Sequence, residues 1–101
     1  MSRFRLSNAA DRDLNEIWDI AADSLDAADR LVERLYRTFL WLSNYPMAGH
    51  KREDIEIPVL FWAEGNYEII YRAFPDCIEI DAILHGRRDI PAILSERDPD
   101  E

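Results

Sequence analysis

The chain has 101 residues, 48% of them hydrophobic and 33% charged, with a formal net charge of −9 at pH 7. These values favour a folded single domain over a disordered segment, and a strong negative charge disfavours broad binding to nucleic acid. No apolar run approaches the roughly 20 residues that span a bilayer, the charged N-terminus does not resemble a signal peptide, and a lone cysteine suits a reducing compartment, so we expect a cytoplasmic protein.

The first half of the chain predicts a short strand and two helices. Residues 3–6 (RFRL) can form the strand, and Ser7 has the chemistry of a helix N-cap. A first helix is predicted over 8–22 and a second from Ser24 or Asp26 to the residues before Pro46. Both show apolar residues at helical spacing, namely Ala10, Leu14, Ile17, Trp18 and Ala21, then Ala28, Leu31, Val32, Leu35, Phe39 and Leu42. Two such helices joined by a few residues predict an antiparallel hairpin.

The second half predicts three strands, over 55–61, 67–74 and 77–84. Pro58 cannot donate a hydrogen bond, so the first run should be an edge strand. The last run should turn its alternate apolar residues to the core, namely Ile78, Ile80, Ala82 and Leu84. Short turns between the runs indicate an antiparallel meander. We therefore predict an α+β fold of order β-α-α-β-β-β, an antiparallel sheet packed against the helical hairpin, over 1–94, with a polar, flexible tail over 95–101.

The segment HGRRD, residues 85–89, gathers positive charge at the end of the last strand of an acidic chain. Arg87 and Arg88 can contact a partner, or they can pair internally with Asp89 or with acids of the last strand, Glu79 and Asp81. Asp89 can instead cap a short helix that begins at 90, because proline suits a first helical turn. Arg72, on the middle strand, can bind a partner or tie the sheet to Glu68 or Glu79.

Other candidate sites are few. Trp62 ends the edge strand, where it can anchor a protein interface or cover the end of the core. Trp41 falls off the apolar stripe of its helix and should be half exposed. His50 and His85 are the only histidines, and Cys77 has neither a cysteine partner nor a nearby histidine in sequence, so no metal or cofactor is expected.

The sequence resembles the ParE branch of the RelE/ParE toxin superfamily over residues 4–94. The resemblance lies in a DLNEIW helix, the helix end NYPMAGHKRED, a YEIIYR strand and the closing HGRRD. It implies the fold predicted above and the toxin of a type II toxin–antitoxin pair, a class linked to plasmid stabilisation and growth inhibition. It also implies a hetero-oligomer with a ParD-like antitoxin and inhibition of DNA gyrase.

Two alternatives remain open from the sequence. RelE-like relatives cleave messenger RNA on the ribosome, which needs a base, an acid and cationic groups around one phosphate; Arg72, His85 and Arg87 would be the candidates here. A degenerate, non-toxic binding module is the other alternative. We favour a toxin that binds proteins without direct contact to nucleic acid or membranes, through a predicted partner-binding set of Trp62, Arg72, His85, Arg87, Arg88 and Asp89.

Overall fold

The computed structural model describes residues 3–21 and 23–97. Its elements follow the predicted order, with one further helix at the end: β1 Phe4–Leu6, α1 Asn8–Ala21, α2 Leu25–Asn44, β2 Leu60–Glu64, β3 Tyr67–Ala73, β4 Ile78–His85 and α3 Ile90–Glu96. Ala22, the predicted last residue of the first helix, and residues 98–101 of the predicted tail lie outside the described residues. No helix in the described ranges combines the length and the apolar character that crossing a membrane requires.

The helix ends form where the sequence predicts them. The Ser7 hydroxyl accepts the Ala10 N–H at 3.1 Å, and the Ser24 hydroxyl accepts the Ala27 N–H at 3.3 Å. Both serines therefore satisfy backbone donors that a helix N-terminus leaves open. At the other end of α2 the chain leaves the helix at Tyr45, directly before Pro46. The predicted N-caps and the predicted stop are confirmed.

The four strands form one sheet in the order β1-β4-β3-β2. The meander is antiparallel as predicted, since β3 pairs antiparallel with both β2 and β4. The first strand instead pairs parallel with β4, with Phe4 opposite Ile78, so the sheet is mixed. Parallel pairing needs a long crossover, and the helical hairpin with the first two strands of the meander supplies it. The predicted α+β class is confirmed.

A β-bulge on β4 gives the sheet two apolar faces. Ile70 pairs with Ala82 while Tyr71 pairs with Ile80, which leaves Asp81 as an extra residue on β4. Before the bulge, apolar β4 residues face the hairpin core; after it, Ala82 and Leu84 pack in a second core on the opposite face. The prediction that Ala82 and Leu84 share a face with the earlier isoleucines was therefore wrong, because the bulge reverses the alternation.

The second core is covered by the C-terminal helix and by the segment before β2. Ile90, Ile93 and Leu94 of α3 pack there with Ile55 and Val59. The strand predicted to start at 55 begins only at Leu60, because Pro58 cannot join a ladder. Its predicted edge position is confirmed. The helix α3 continues to Glu96, two residues past the boundary predicted at Leu94.

The buried carboxylate of Asp13 connects α1 and the end of α3 to the bulged strand β4. Asp13 of α1 is 5% exposed, and it accepts the Ile83 N–H at 2.9 Å. Arg97, the residue after α3, donates to both oxygens of that carboxylate at 2.9 and 2.7 Å. The last pair between β1 and β4 is Leu6 with Ile80. Asp13 therefore binds an amide in the part of β4 that β1 no longer covers. A buried charge of this kind is tolerated only with such partners.

Tyr71 fixes the connection between α2 and β2. The Tyr71 hydroxyl donates to the Pro46 carbonyl at 2.8 Å and accepts the Gly49 N–H at 2.9 Å. Burial raises the pKa of this hydroxyl above its ordinary value, although the bond from Gly49 opposes the shift. A Cβ at Gly49 would lie 2.6 Å from the Tyr71 oxygen and 3.0 Å from the Phe61 carbonyl. The loop therefore has no room for a side chain at this position.

We expect Gly49→Ala to lower the free energy of unfolding by about 1–3 kcal/mol, the usual cost of overpacking a core. Gly86→Ala is the matched control, since its Cβ would meet only the Asn66 carbonyl at 3.6 Å, an ordinary contact. Urea unfolding of both variants measures the difference. Equal loss of stability in the two variants would show that the contact with Tyr71 does not constrain the loop.

Candidate functional site

Arg72 lies at the centre of a charged cluster on the sheet face opposite the hairpin. Its Nε donates to Asp81 at 2.7 Å, and its Nη2 bonds Glu79 and also reaches Asp81 at 3.3 Å. Glu79 also accepts from Arg5 Nε at 3.1 Å. The Phe74 ring lies under both guanidinium groups, 5.2 Å from that of Arg5 and 5.6 Å from that of Arg72. The predicted tie from Arg72 to Glu79 is confirmed, and Asp81 adds a second.

The two carboxylates of this cluster titrate differently. Burial raises the pKa of Asp81 from 3.8 to about 6, and the neighbouring Glu79 adds to this while Arg72 opposes it. Burial also acts to raise the pKa of Glu79, but hydrogen bonds with Asp81, Arg5 and Arg72 outweigh it and lower the value. The hydrogen bonds that Arg72 donates to Asp81 lead the causes that raise the pKa of Arg72. Arg72 is thus a permanent cation whose donors are directed at two internal acids.

The structure does not bring Arg72 together with the other candidate RNase residues. Arg72 pairs with Glu79 at one end of β3, whereas His85 pairs with Tyr67 at the other end. At about 3.4 Å per residue, the five residues from Tyr67 to Arg72 span roughly 17 Å of strand. A single scissile phosphate cannot contact groups so far apart.

His85 organises the turn that follows β4. Its Nδ1 accepts the Arg87 N–H at 3.2 Å, and its carbonyl accepts the Arg88 N–H at 3.0 Å. The imidazole also packs edge-on against Tyr67, with 5.5 Å between ring centroids. Because Nδ1 accepts a backbone amide, only Nε2 of the ring is left to contact a ligand.

Arg87 and Arg88 are exposed. The acids considered as their internal partners are engaged elsewhere: Asp89 accepts the Ala92 N–H at 3.2 Å as the N-cap of α3, and the two acids of β4 bind Arg72. Within residues 3–21 and 23–97, neither Arg87 nor Arg88 forms an ion pair. The internal-pairing alternative is therefore not what the structure shows, whereas the capping role considered for Asp89 is confirmed.

An exposed aromatic surface lies where the end of α2 meets the edge strand. It consists of Trp41, Tyr45, Met47 and Trp62. The Trp41 ring is 5.0 Å from both Trp62 and Tyr45, measured between centroids. Trp41 is 42% exposed, Tyr45 58% and Met47 74%, which confirms the prediction for Trp41. Trp62 is half-buried, packs against the hairpin core and contacts Trp41, so the core-covering role considered for it is what the structure shows, and its role as an interface anchor stays a prediction.

Two concavities flank the aromatic surface. One of about 400 Å³ is almost wholly apolar and is formed by Trp41 with the helix-end segment 44–48. The other, of about 310 Å³, lies between both tryptophans and is lined by Arg34, Arg37, Thr38 and Glu64. Tyr45 and Met47 were not among the predicted site residues. Their signal in the sequence was weak: two large apolar residues flanking the proline that ends a helix.

Among the described residues, no group of three or more His, Cys, Asp or Glu side chains is arranged to hold a metal ion. Cys77 is a half-buried free thiol at the approach to β4. The candidate sites considered below are the aromatic surface and the turn after β4 that carries Arg87 and Arg88.

Comparison with known proteins agrees with this architecture. Residues 4–90 match the family described as the ParE toxin of the type II toxin–antitoxin system parDE. The chain is 28% identical over 92 residues to Toxin ParE1 of Mycobacterium tuberculosis, in strains CDC 1551 and H37Rv, covering 88% of this chain and 94% of that protein. A solved structure titled "Chromosomal ParDE TA system from P. aeruginosa" shares its fold with a TM-score of 0.71 at 18% identity, covering 84% of this chain and 96% of that one.

The chain therefore belongs to the ParE toxin family of type II toxin–antitoxin systems. The resemblance noted in the sequence is confirmed, and so is the implied fold.

The raised pKa of Asp81 predicts a specific pH dependence of stability. The folded state keeps the proton of Asp81 up to about pH 6, whereas the unfolded chain loses it near the ordinary pKa of 3.8. The stabilisation that protonated Asp81 contributes is therefore complete below about pH 4 and is lost as the pH rises through about 6. Asp81→Asn does not titrate, so its free energy of unfolding should improve relative to the wild type as the pH rises across this window. Urea unfolding at several pH values from about 4 to about 7 measures the difference.

Asp76→Asn is the control, since it removes an exposed carboxylate from the β3–β4 turn and leaves the Arg72 cluster intact. A constant or falling difference between Asp81→Asn and the wild type across the window would contradict the assignment.

Proposed function

We propose that this ParE-family toxin acts by binding proteins: a ParD-like antitoxin holds it inactive in a hetero-oligomer, and the free toxin inhibits DNA gyrase in the cytoplasm. The exposed aromatic surface carries the first half of the proposal. A folded domain gains nothing by leaving Trp41, Tyr45 and Met47 exposed beside a half-buried Trp62, and such residues are typical anchors of protein interfaces.

The aromatic surface suits a helix or an extended segment of an antitoxin. Its apolar concavity beside Tyr45 and Met47 can take one large apolar side chain, in the manner of a peptide laid in a groove. Strand addition to β2 is restricted, because His50 already exchanges both backbone hydrogen bonds with Phe61 at 2.9 and 2.8 Å. Only the end of β2, around Ala63, is left for added main-chain pairing.

Apolar contact also agrees with the charge of the toxin. A chain of net charge −9 would repel an acidic antitoxin if most of the contact were ionic. The arginines beside the surface are already paired, Arg34 with Glu64 at 3.5 Å and Arg37 with Glu33 at 2.7 Å. We therefore expect the antitoxin to be recognised mainly through its apolar side chains, with little dependence on salt.

The placement of Arg72 supports an action on a protein over cleavage of messenger RNA. A phosphate would have to displace Glu79 and Asp81 from the guanidinium and approach an acidic body. Of the two histidines, His85 is at the opposite end of the strand and His50 lies beyond the edge strand β2, bridged to Phe61. The catalytic requirements of a base, an acid and converging cations are therefore not met around any one phosphate. The identity of gyrase as the target is inferred from the family resemblance.

Truncation of the tryptophans tests the antitoxin surface. We expect Trp41→Ala and Trp62→Ala each to weaken binding of the cognate ParD-like antitoxin by about 30-fold or more, the effect of losing about 2 kcal/mol at an interface anchor. Titration calorimetry of the purified pair measures the dissociation constant. Ile20→Ala is the control, because Ile20 is 76% exposed at the far end of the hairpin. Unchanged affinity in both tryptophan variants would place the antitoxin elsewhere.

The target is tested separately with purified components. We expect the wild-type chain to inhibit supercoiling of plasmid DNA by gyrase, and the antitoxin to relieve that inhibition. Induction in cells should alter plasmid supercoiling without cutting transcripts, as primer extension on messenger RNA would show. Ribosome-dependent cuts that Arg72→Ala abolishes would instead establish an RNase, and growth unaffected by induction would indicate a non-toxic binding module.

A further inference from the structure

The arginines of the described chain divide into paired and unpaired groups. Six of them form ion pairs with described residues, namely Arg5, Arg34, Arg37, Arg52, Arg72 and Arg97. Arg3 and Arg30 are also exposed without an ion pair within the described residues, but each stands alone, whereas Arg87 and Arg88 are adjacent, exposed and unpaired there. In a chain with 21 acidic residues against 12 basic ones, two neighbouring guanidinium groups without a carboxylate partner require an explanation.

The backbone that carries these two arginines is held at three points. His85 accepts one amide through its carbonyl and another through Nδ1. The Gly86 N–H donates to the Asn66 carbonyl at 2.9 Å, which ties this turn to the β2–β3 turn. Asp89 then closes the turn as the N-cap of α3. The backbone of the turn is therefore ordered before any partner arrives, and less freedom is lost on binding.

The surroundings of the turn are mixed in charge. A concavity of about 230 Å³ lies between the two turns and is lined by His85, Arg87 and Glu68. One carboxylate oxygen of Glu68 is buried there without a hydrogen-bond partner. On the other side of the β2–β3 turn, Arg34 Nη2 lies 3.0 Å from where a Cβ would stand at Gly65. Carboxylates and guanidinium groups thus alternate around this end of the sheet.

We propose that Arg87 and Arg88 bind an acidic peptide segment on the protein target of the toxin. This rests on the proposed function, because it assumes that the toxin acts on a protein. Two adjacent guanidinium groups can each hold a carboxylate through paired hydrogen bonds. A peptide can present one or two carboxylates and place neutral or basic groups near Glu68. A nucleic-acid backbone cannot do this, since its regularly spaced phosphates would also meet Glu68 and a body of net charge −9.

The segment is assigned to the target and not to the antitoxin because the two surfaces differ in place and chemistry. The aromatic surface is apolar and belongs to α2 and β2, whereas the arginines extend from the turn between β4 and α3. The two regions still meet at the β2–β3 turn, where Glu64 and Gly65 border one concavity each. An antitoxin that extends past Trp62 would cover the approach to Arg87, which would account for neutralisation by occlusion.

Charge reversal of the pair is the test. We expect the double change Arg87→Glu with Arg88→Glu to reduce growth inhibition and gyrase inhibition by about tenfold or more, on the scale of losing charge pairs at an interface. Antitoxin affinity should stay within about threefold, and urea unfolding should be unchanged, because surface residues without partners contribute little to stability. The matched control is Arg30→Glu with Lys51→Glu, which makes the same change in net charge at exposed positions elsewhere.

The other possible results of the charge-reversal experiment each decide whether the inference stands. Full growth inhibition by the reversed variant overturns the inference, and so does loss of antitoxin affinity together with activity, which would assign the arginines to the antitoxin. Binding of a labelled 20-nucleotide RNA that depends on the pair would also overturn it. A wild-type chain that arrests growth without affecting purified gyrase, while the reversed variant is inactive in cells, would refute gyrase as the target and leave the acidic-segment inference standing.

Discussion

The β-bulge at Asp81 is the constraint on which the rest of this fold depends. Without the extra residue, the alternation of β4 would continue, so that Ala82 and Leu84 would face the hairpin and Phe61 and Ile70 would lose these neighbours on the opposite face. With it, Ala82 and Leu84 form a second core that α3 covers. The bulge is held by side chains from other elements: the Asp81 carbonyl accepts from Ser7 Oγ at 3.3 Å and from Arg97 at 3.4 Å. Ser7, the cap of α1, and Arg97, the residue after α3, therefore both bind the backbone at the bulge.

The same bulge decides the chemistry of the exposed sheet face. It places the Asp81 carboxylate beside Glu79, so that both engage Arg72. Two carboxylates this close would repel each other if both were charged, and the guanidinium between them relieves that repulsion. Arg72 is then paired with acids of its own sheet. A feature of backbone geometry thereby directs the candidate catalytic cation at internal carboxylates.

The sequence was sufficient to predict the elements that depend on local pattern. Helical spacing, the caps Ser7 and Ser24 and the stop at Pro46 are local, and all were confirmed. The parallel pairing of β1 and the bulge could not be predicted, because both depend on contacts between distant parts of the chain: Asp13 with Ile83 and Arg97, and Ser7 with Asp81. Of the candidate site, the exposed Trp41 was predicted. The contact of Trp41 with Trp62 could not be predicted, because it depends on how α2 packs against β2 and not on the spacing of residues in the sequence. The same packing places Tyr45 and Met47 beside them.

The positions of the charges suggest how one small acidic domain can serve two partners. Acidic residues are in excess over the whole chain, which keeps most of its surface unattractive to polyanions and to acidic proteins. Against that background the aromatic surface and the adjacent arginines Arg87 and Arg88 stand out among the described residues, and each would suit a partner of different chemistry. Because both border the β2–β3 turn, a partner bound at one would limit access to the other without any change in the fold. Under the proposed function, steric competition at this shared boundary would be a sufficient basis for control, without a conformational switch in the toxin.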